Sequence, residues 1–274
     1  MSMVLPSVNI LICTIAERIN NIASMLLPPT DGIRYIVSHQ TDGKAIKCPE
    51  ELKKRCDVEV YTLEGKGLSV NRNNAMKHAD GDLWIISDDD ATYNLEQLEQ
   101  IRVVAKQNPQ ADILTFMVST GGNDLLHPYP KKGFTYPHRP KGFYYNSNEI
   151  VLRKGRDYPP FDSRLGLGAD RLHMGEEEIF VYECYKRKLR VDFHPYILQT
   201  IPKTTTSMRY ADDKSLRESK GAVLTLMHGI PKASACILYT AFKMKNVVPF
   251  WKHLHNLFNG MFYILRTKSN GTIN

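Results

Sequence analysis

Short, apolar-rich runs alternate along the first 120 residues with longer stretches whose apolar positions fall three or four apart. Val8–Cys13, Ile33–Ser38, Val58–Leu63, Leu83–Ile86 and Ile113–Val118 are the short runs and predict strands; the fully apolar Leu83–Ile86 predicts a buried one. Between them the pattern predicts three helices. One follows Thr14-Ile15-Ala16-Glu17-Arg18 to about Leu27. One is capped by Ser69 and runs to about Ala79, with Val70, Asn73 and Met76 along one side. One spans Asn94–Gln107, with Leu95, Leu98, Ile101 and Val104 three apart. Strands alternating with helices predict an α/β protein with a Rossmann-like, doubly wound, mostly parallel sheet. The rhythm then changes. Residues 119–148 are rich in Gly, Pro, Tyr, His and Lys and have no period, as in long functional loops. Asn148–Lys154 reads as a strand, Pro159–Met174 as irregular. A helix opens at Glu176-Glu177-Glu178 and closes at Lys186-Arg187-Lys188, with charges that suit its dipole. Arg190–His194 reads as a last strand, and residues from about 215 read as amphipathic helix.

Composition changes this picture little, but charge does. The chain of 274 residues is 42% hydrophobic and 24% charged, an ordinary globular balance. Residues 181–274 hold 15 Lys+Arg against 5 Asp+Glu, whereas 1–180 hold 21 against 24. A basic tail suits nucleic acid, an anionic membrane surface or a phosphate-bearing substrate. The five cysteines form no CxxC pair and predict free thiols in a reducing cytosol. The patch Val8–Ile12 is too short for a signal peptide, and no run approaches the roughly 18 apolar residues that span a bilayer. Both points predict a cytoplasmic protein. Asn270-Gly271-Thr272 is then a chance sequon.

The chemistry concentrates at Asp88-Asp89-Asp90, directly after the apolar run Leu83–Ile86. Open α/β sheets bind ligands outside the carboxyl ends of their strands. Three adjacent acids repel one another, and their hard oxygens suit Mg2+ or Mn2+ bridged to a substrate phosphate. A polar turn closing the strand is the plainer reading of the same residues.

Three further segments stand in order around the triplet: Gly67-Leu68-Ser69-Val70-Asn71-Arg72-Asn73-Asn74-Ala75, Phe161-Asp162-Ser163-Arg164-Leu165-Gly166-Leu167-Gly168-Ala169 and Gly175-Glu176-Glu177-Glu178. With Gly81-Asp82 and the strand-end acids, they resemble family 2 glycosyltransferases of the GT-A fold over about residues 8–200. The resemblance divides residues 1–212 into a nucleotide-sugar half (about 1–118) and an acceptor half (about 119–212), and leaves 213–274 as a basic, helical C-terminal extension. It implies an inverting, metal-dependent transfer from a nucleotide sugar to an acceptor hydroxyl. Asp90 would hold the metal, while Asp88 and Asp89 would touch ribose and nucleotide, Asp88 also reaching the metal. Glu177 matches the catalytic base, with Glu176 binding acceptor or orienting the helix. All three glutamates equally suit a helix N-terminus. Ser69 and Arg72 belong to the donor side; Arg72 reads equally as a phosphate ligand or as a strut for Asp88. Thr14 and Glu17 would flank the base.

The sequence departs from the family in two places. Ser38-His39-Gln40-Thr41-Asp42-Gly43 lacks the usual Asp pair that reads uracil, which leaves Gln40 or Asp42 for that role and UDP as the best guess. No histidine stands in Leu198–Thr204, so the metal would rely on Asp90, phosphates and water, or on His194. Lys203, Arg209 and the hydroxyls of 204–207 would form a lid over the diphosphate. The tail around Phe250–Arg266 suits either an interfacial helix on anionic lipid or a helix packed on the domain. A glycan or lipid-linked acceptor in envelope polysaccharide assembly follows from family habit. Two rivals remain: a nucleotidyltransferase, which lacks its glycine-rich loop here, and a non-catalytic sugar- or nucleic-acid-binding module, for which no RNA-binding motif is present.

Overall fold

The computed structural model describes residues 4–122, 124–203 and 209–267. The chain divides into two units that interleave along the sequence. The first takes 1–66, 71–159 and 183–203; the second takes 67–70, 160–182 and 204–274. The division does not fall at residue 212.

The first unit is built on a nine-stranded sheet. Its strands are β1 (Val8–Ile15), β2 (Ile33–Gln40), β3 (Val58–Leu63), β4 (Leu83–Asp88), β5 (Ile113–Gly121), β6 (Asp124–Leu125), β7 (Phe134–Thr135), β8 (Ile150–Arg153) and β9 (Val191–Thr200). Their order is β3-β2-β1-β4-β8-β5-β9-β7, with β6 beside β5. β3, β2, β1 and β4 run parallel. Seven of β1's eight residues are buried, as a strand covered on both faces requires. The chain leaves β1 toward β2 and β3, then returns to β4 on β1's other side. The β1/β4 crevice is therefore the topological switch point, where such sheets place their ligands.

The expected strand after residue 147 is present but antiparallel to both neighbours, β4 and β5. β5 ends at the same edge of the sheet where β8 begins, and no crossover helix intervenes, so the chain can only run back. Residues Ala16–Met25 form a 3-10 helix rather than an α-helix. Its buried Ile19, Ile22 and Met25 fall three apart, which matches the 3-10 period. The helices between strands are α1 (Glu50–Lys53), α2 (Leu68–His78) and α3 (Leu95–Gln107). Asn94 caps α3 by accepting from Glu96 N at 2.8 Å.

α4 (Glu176–Lys186) begins in the second unit and ends in the first. The second unit otherwise holds α5 (Lys214–Lys243) and α6 (Phe250–Arg266). α5 is long and apolar enough to cross a membrane by length and composition, which corrects the expectation that no segment approached that length. It is nevertheless broken at Gly229 (φ 70), two residues before Pro231. Both halves pack on α6. The first half meets it backbone to backbone: a Cβ on Gly221 would lie 1.9 Å from Leu257 O, and one on Gly260 would lie 1.8 Å from Glu218 O. The second half buries Ile237 and Ala241 against Leu257 and Met261.

Candidate active site

β1 and β4 pair with Cys13 opposite Asp88, so the acids leave β4 beside the end of β1. Each carboxylate of the triplet has a different environment. Asp89 is buried. It accepts from Thr14 Oγ1 at 2.6 Å and from Arg18 Nε at 2.7 Å, and Arg18 Nη2 completes a bidentate pair. Asp88 accepts from Arg72 Nη2 at 3.1 Å and from Asn148 Nδ2 at 2.8 Å, and its backbone N–H donates to Asn148 Oδ1 at 3.1 Å. Asp90 is the outermost, with 47% of its side chain exposed and the Arg18 guanidinium 3.6 Å away. Desolvation and the neighbouring Asp88 and Asp89 raise its pKa against the pull of Arg18.

Several residues hold this arrangement from behind. Arg72 is almost fully buried and also donates to Ser147 Oγ at 2.7 Å. Asn71 Nδ2 donates to Thr14 O at 2.9 Å, tying α2 to the end of β1. Gln199 Nε2 donates to Asn148 O at 2.7 Å and Ile86 O at 3.1 Å. Asn148 and Gln199 carry no sequence signal for this role; Asn148 read as the start of a strand. The one local hint is the capping box of Asn146 and Glu149, which fixes the turn holding Ser147 and Asn148. Burial raises the Cys13 thiol to about 12, so it is a packing residue here.

On the other side of β1, His39 is a buried strand residue whose Nε2 lies 3.0 Å from Ala16 O, holding the turn after β1, where Ala16 takes φ 49. Gln40 is buried at the end of β2, and Asp42 is exposed with φ 50. Glu17 is at the surface, paired with Lys44 Nζ at 2.9 Å. His194 does not join the triplet. It stacks near Phe116 (centroids 5.8 Å apart), and β9 continues six residues past it, about 20 Å of extended chain, to Thr200, which pairs with Thr92. Its pKa is lowered by burial. Among the described residues, no three His, Cys, Asp or Glu side chains converge as a metal cage. The donor set still suits a divalent ion shared with a substrate: Asp90 is the most exposed carboxylate of the triplet, and Asp88 and Asp89 stand beside it.

In the second unit, the loop 160–175 wraps the first turns of α2 and α4. α2 begins at Leu68, so Ser69 lies inside its first turn and does not cap it; Ser69 Oγ donates to Leu165 O at 2.7 Å. Leu68 N donates to Leu167 O at 2.8 Å. Gly166 (φ 99) fits where a Cβ would lie 3.0 Å from the Glu176 carboxyl carbon and 3.1 Å from Ser69 Oγ. Glu176 is buried, while Glu177 and Glu178 are half-buried, all three in the first turn of α4. Asp162 and Arg164 pair at 2.5 Å, and Arg164 reaches Thr267 O at 2.6 Å. Lys203 pairs with Asp124 at 3.0 Å; residues 204–207, the rest of the expected lid beside Arg209, and the sequon at 270–272 lie outside the described residues.

The mixed sheet, with an acidic strand end at its switch point, is the α/β architecture of GT-A glycosyltransferases. The chain matches the model of Glycosyl transferase family 2 over residues 2–160, more than half its length, and it belongs to that family. No curated protein matches it. Among solved structures, S. aureus TarS 1-349 superimposes with a TM-score of 0.56 at 13% identity, covering 96% of this chain and 92% of that one. The TarS 1-349 complex with UDP-GlcNAc gives 0.54 at 12% identity over 94% and 92%. The mannosyltransferase PcManGT from Pyrobaculum calidifontis, in complex with GDP-Man and Mn2+, gives 0.53 at 11% over 97% and 89%. At these identities the likeness is one of fold. The family match ends before α4, so it does not reach Glu176 or Glu177.

Proposed function

We propose that the protein transfers a sugar, with inversion, from a nucleotide sugar to a hydroxyl of a glycan or lipid-linked acceptor. The observation that carries this reading is the division of the triplet, in which two carboxylates are committed to Arg18, Thr14, Arg72 and Asn148 while Asp90 stands open at the switch point. Asp90 would hold Mn2+ or Mg2+, which as a Lewis acid offsets charge on the diphosphate leaving group. Asp88 is fixed by Arg72 and Asn148, and Asp89 by Thr14 and Arg18; the two would orient the nucleoside. Gln40 or Asp42 would read the base. Glu17 is the weaker reader, given its surface pair with Lys44. Glu177 accepts the acceptor's hydroxyl proton as the new C–O bond forms and the anomeric C–O bond to the diphosphate breaks, its electron pair leaving with the diphosphate. Glu176 orients the turn that carries the base.

UDP is the favoured nucleotide, by analogy with the TarS complex, although PcManGT was solved with GDP-Man. Thermal shift with UDP, GDP, CMP and dTDP, each with and without Mn2+, tests the donor site. A ligand at about 100 times its Kd adds roughly 2.7 kcal/mol to stability. One nucleotide stabilising the protein in a metal-dependent way supports the reading. No shift with any of them overturns it. Glu177→Gln should preserve that shift while abolishing transfer.

A further inference from the structure

α6 is apolar on two opposite sides, and only one of them is covered. His253, Leu257, Gly260, Met261 and Ile264 are buried. They lie on one face of a 3.6-residue helix, turned toward α5. Trp251, Phe262 and Leu265 recur at +11 and +3, which places them on the far face, with the half-buried Phe258 between them packing back toward α5. Trp251 is 76% exposed, Phe262 49% and Leu265 50%. The stripe runs about 21 Å along the helix. The last turns of α5 and the turn leading into α6 continue the theme, with Leu238, Tyr239, Phe242 and Val247 exposed between 49% and 62%.

A helix that serves only to pack on its own domain does not keep a second row of large apolar side chains in water. The rim of this row identifies its occupant. Lys252, Asn259 and Arg266 recur every seven residues along one border of the stripe. Lys243 ends α5 and Lys245 stands in the turn after it, with Lys245 Nζ 4.6 Å from the Phe242 ring centre. No Asp or Glu occurs after Glu218. Aromatic rings and aliphatic side chains together, edged by lysines and free of acids, match the boundary between acyl chains and anionic headgroups. A nucleic acid would use the lysines and the rings but leave Leu238, Val247 and Leu265 in water. A second copy of the chain would bring the same positive charge against itself.

We infer that the outward stripe of α6, with the end of α5 and the turn between them, docks the protein in the plane of an anionic lipid surface. α5 then need not cross the bilayer: its break at Gly229 folds both its halves onto α6. This inference rests on the second unit alone and stands or falls independently of the transfer reaction.

The test is co-sedimentation of the full chain with vesicles of phosphatidylcholine alone or phosphatidylcholine with phosphatidylglycerol. Each basic residue near an anionic leaflet is worth about fivefold in partitioning, so Lys243→Gln, Lys245→Gln and Lys252→Gln combined should weaken binding to the anionic vesicles by about 100-fold. Trp251→Ser with Phe262→Ser should weaken it by at least about tenfold. All five positions are exposed, so circular dichroism and the melting temperature should match the wild type. Failure of the wild type to bind anionic vesicles overturns the inference, as does binding that survives both sets of substitutions. A dimer in light scattering that both variants dissolve, or RNA binding with no lipid binding, overturns it in favour of that partner. Because vesicle binding does not require nucleotide, its failure is distinguishable from failure of the donor site.

Discussion

Asp88 and Asp90 are two residues apart and chemically alike, yet the structure predicts opposite consequences for making each one neutral. Asp88 faces Arg72, whose side chain is 2% exposed, and it takes two further hydrogen bonds with Asn148. Asp88→Asn leaves a guanidinium buried without its carboxylate. Removing one member of a fully buried pair costs about 3–5 kcal/mol. Here the carboxylate is 31% exposed and Arg72 retains Ser147, so about 1–3 kcal/mol is the expected loss. At about 2–4 °C per kcal/mol, that lowers the melting temperature by roughly 2–12 °C. Asp90 is half in solvent and crowded by like charge, so Asp90→Asn should change stability by less than about 0.5 kcal/mol. The order reverses with ligand. Asp90→Asn should lose the stabilisation by Mn2+ with nucleotide, while Asp88→Asn should retain part of it. Differential scanning fluorimetry at pH 7, with and without Mn2+ and UDP, measures both effects. Equal losses of stability in the two variants, or an undiminished metal-dependent shift in Asp90→Asn, would refute this division of roles.

Other consequences are as direct. Gly260→Ala places a methyl 1.8 Å from Glu218 O, so α5 and α6 must separate; a loss of about 1–3 kcal/mol or more is expected in urea titration, and a wild-type midpoint would refute the close backbone contact. Asn148→Asp sets a second carboxylate against Asp88 and should lower the melting temperature, whereas Asn148→Ala at similar cost would show that only the hydrogen bonds matter. His194 and His253 have lowered pKa values through burial, so the unfolded chain binds their protons first. Stability should therefore fall as pH drops below about 6.5 toward the folded values, and the slope should flatten in His253→Gln. Asp90 acts in the opposite sense: its raised pKa makes it a penalty that grows as pH rises from about 4, and Asp90→Asn should remove that component.

The parts of the fold legible in the sequence are those specified locally. β1, β2, β4 and β5 announce themselves because each is an apolar-rich run that the fold buries, β3 because its apolar residues alternate with polar ones as on an edge strand, and Asp88–Asp90 stand out because charge ends such a run. What could not be read is what distant residues supply. Asn148 reaches Asp88 across 60 positions, and Gln199 reaches Ile86 O across 113; neither amide differs in sequence from an ordinary loop or strand residue. The direction of β8 was hidden for the same reason, since an apolar run has no polarity of its own and only the path of residues 122–146 fixes it. His194 shows the same limit: six residues in sequence are a short step, but along the extended β9 they span about 20 Å.

These long-range supports decide the chemistry of the triplet. Three adjacent carboxylates are unstable as a group, and the fold answers with two guanidiniums, Arg18 and Arg72, arriving from different elements. Three negative and two positive charges leave a net of −1, concentrated on the exposed Asp90. A divalent ion alone would overturn that balance to +1, a poor match for a half-buried site. The same ion accompanied by a diphosphate restores a negative total and brings its own oxygens as ligands. The arrangement thus favours the metal and the nucleotide together over either one alone. That fits a site with no preformed cage among the described residues, whose acids are held by Thr14, Arg18, Arg72 and Asn148.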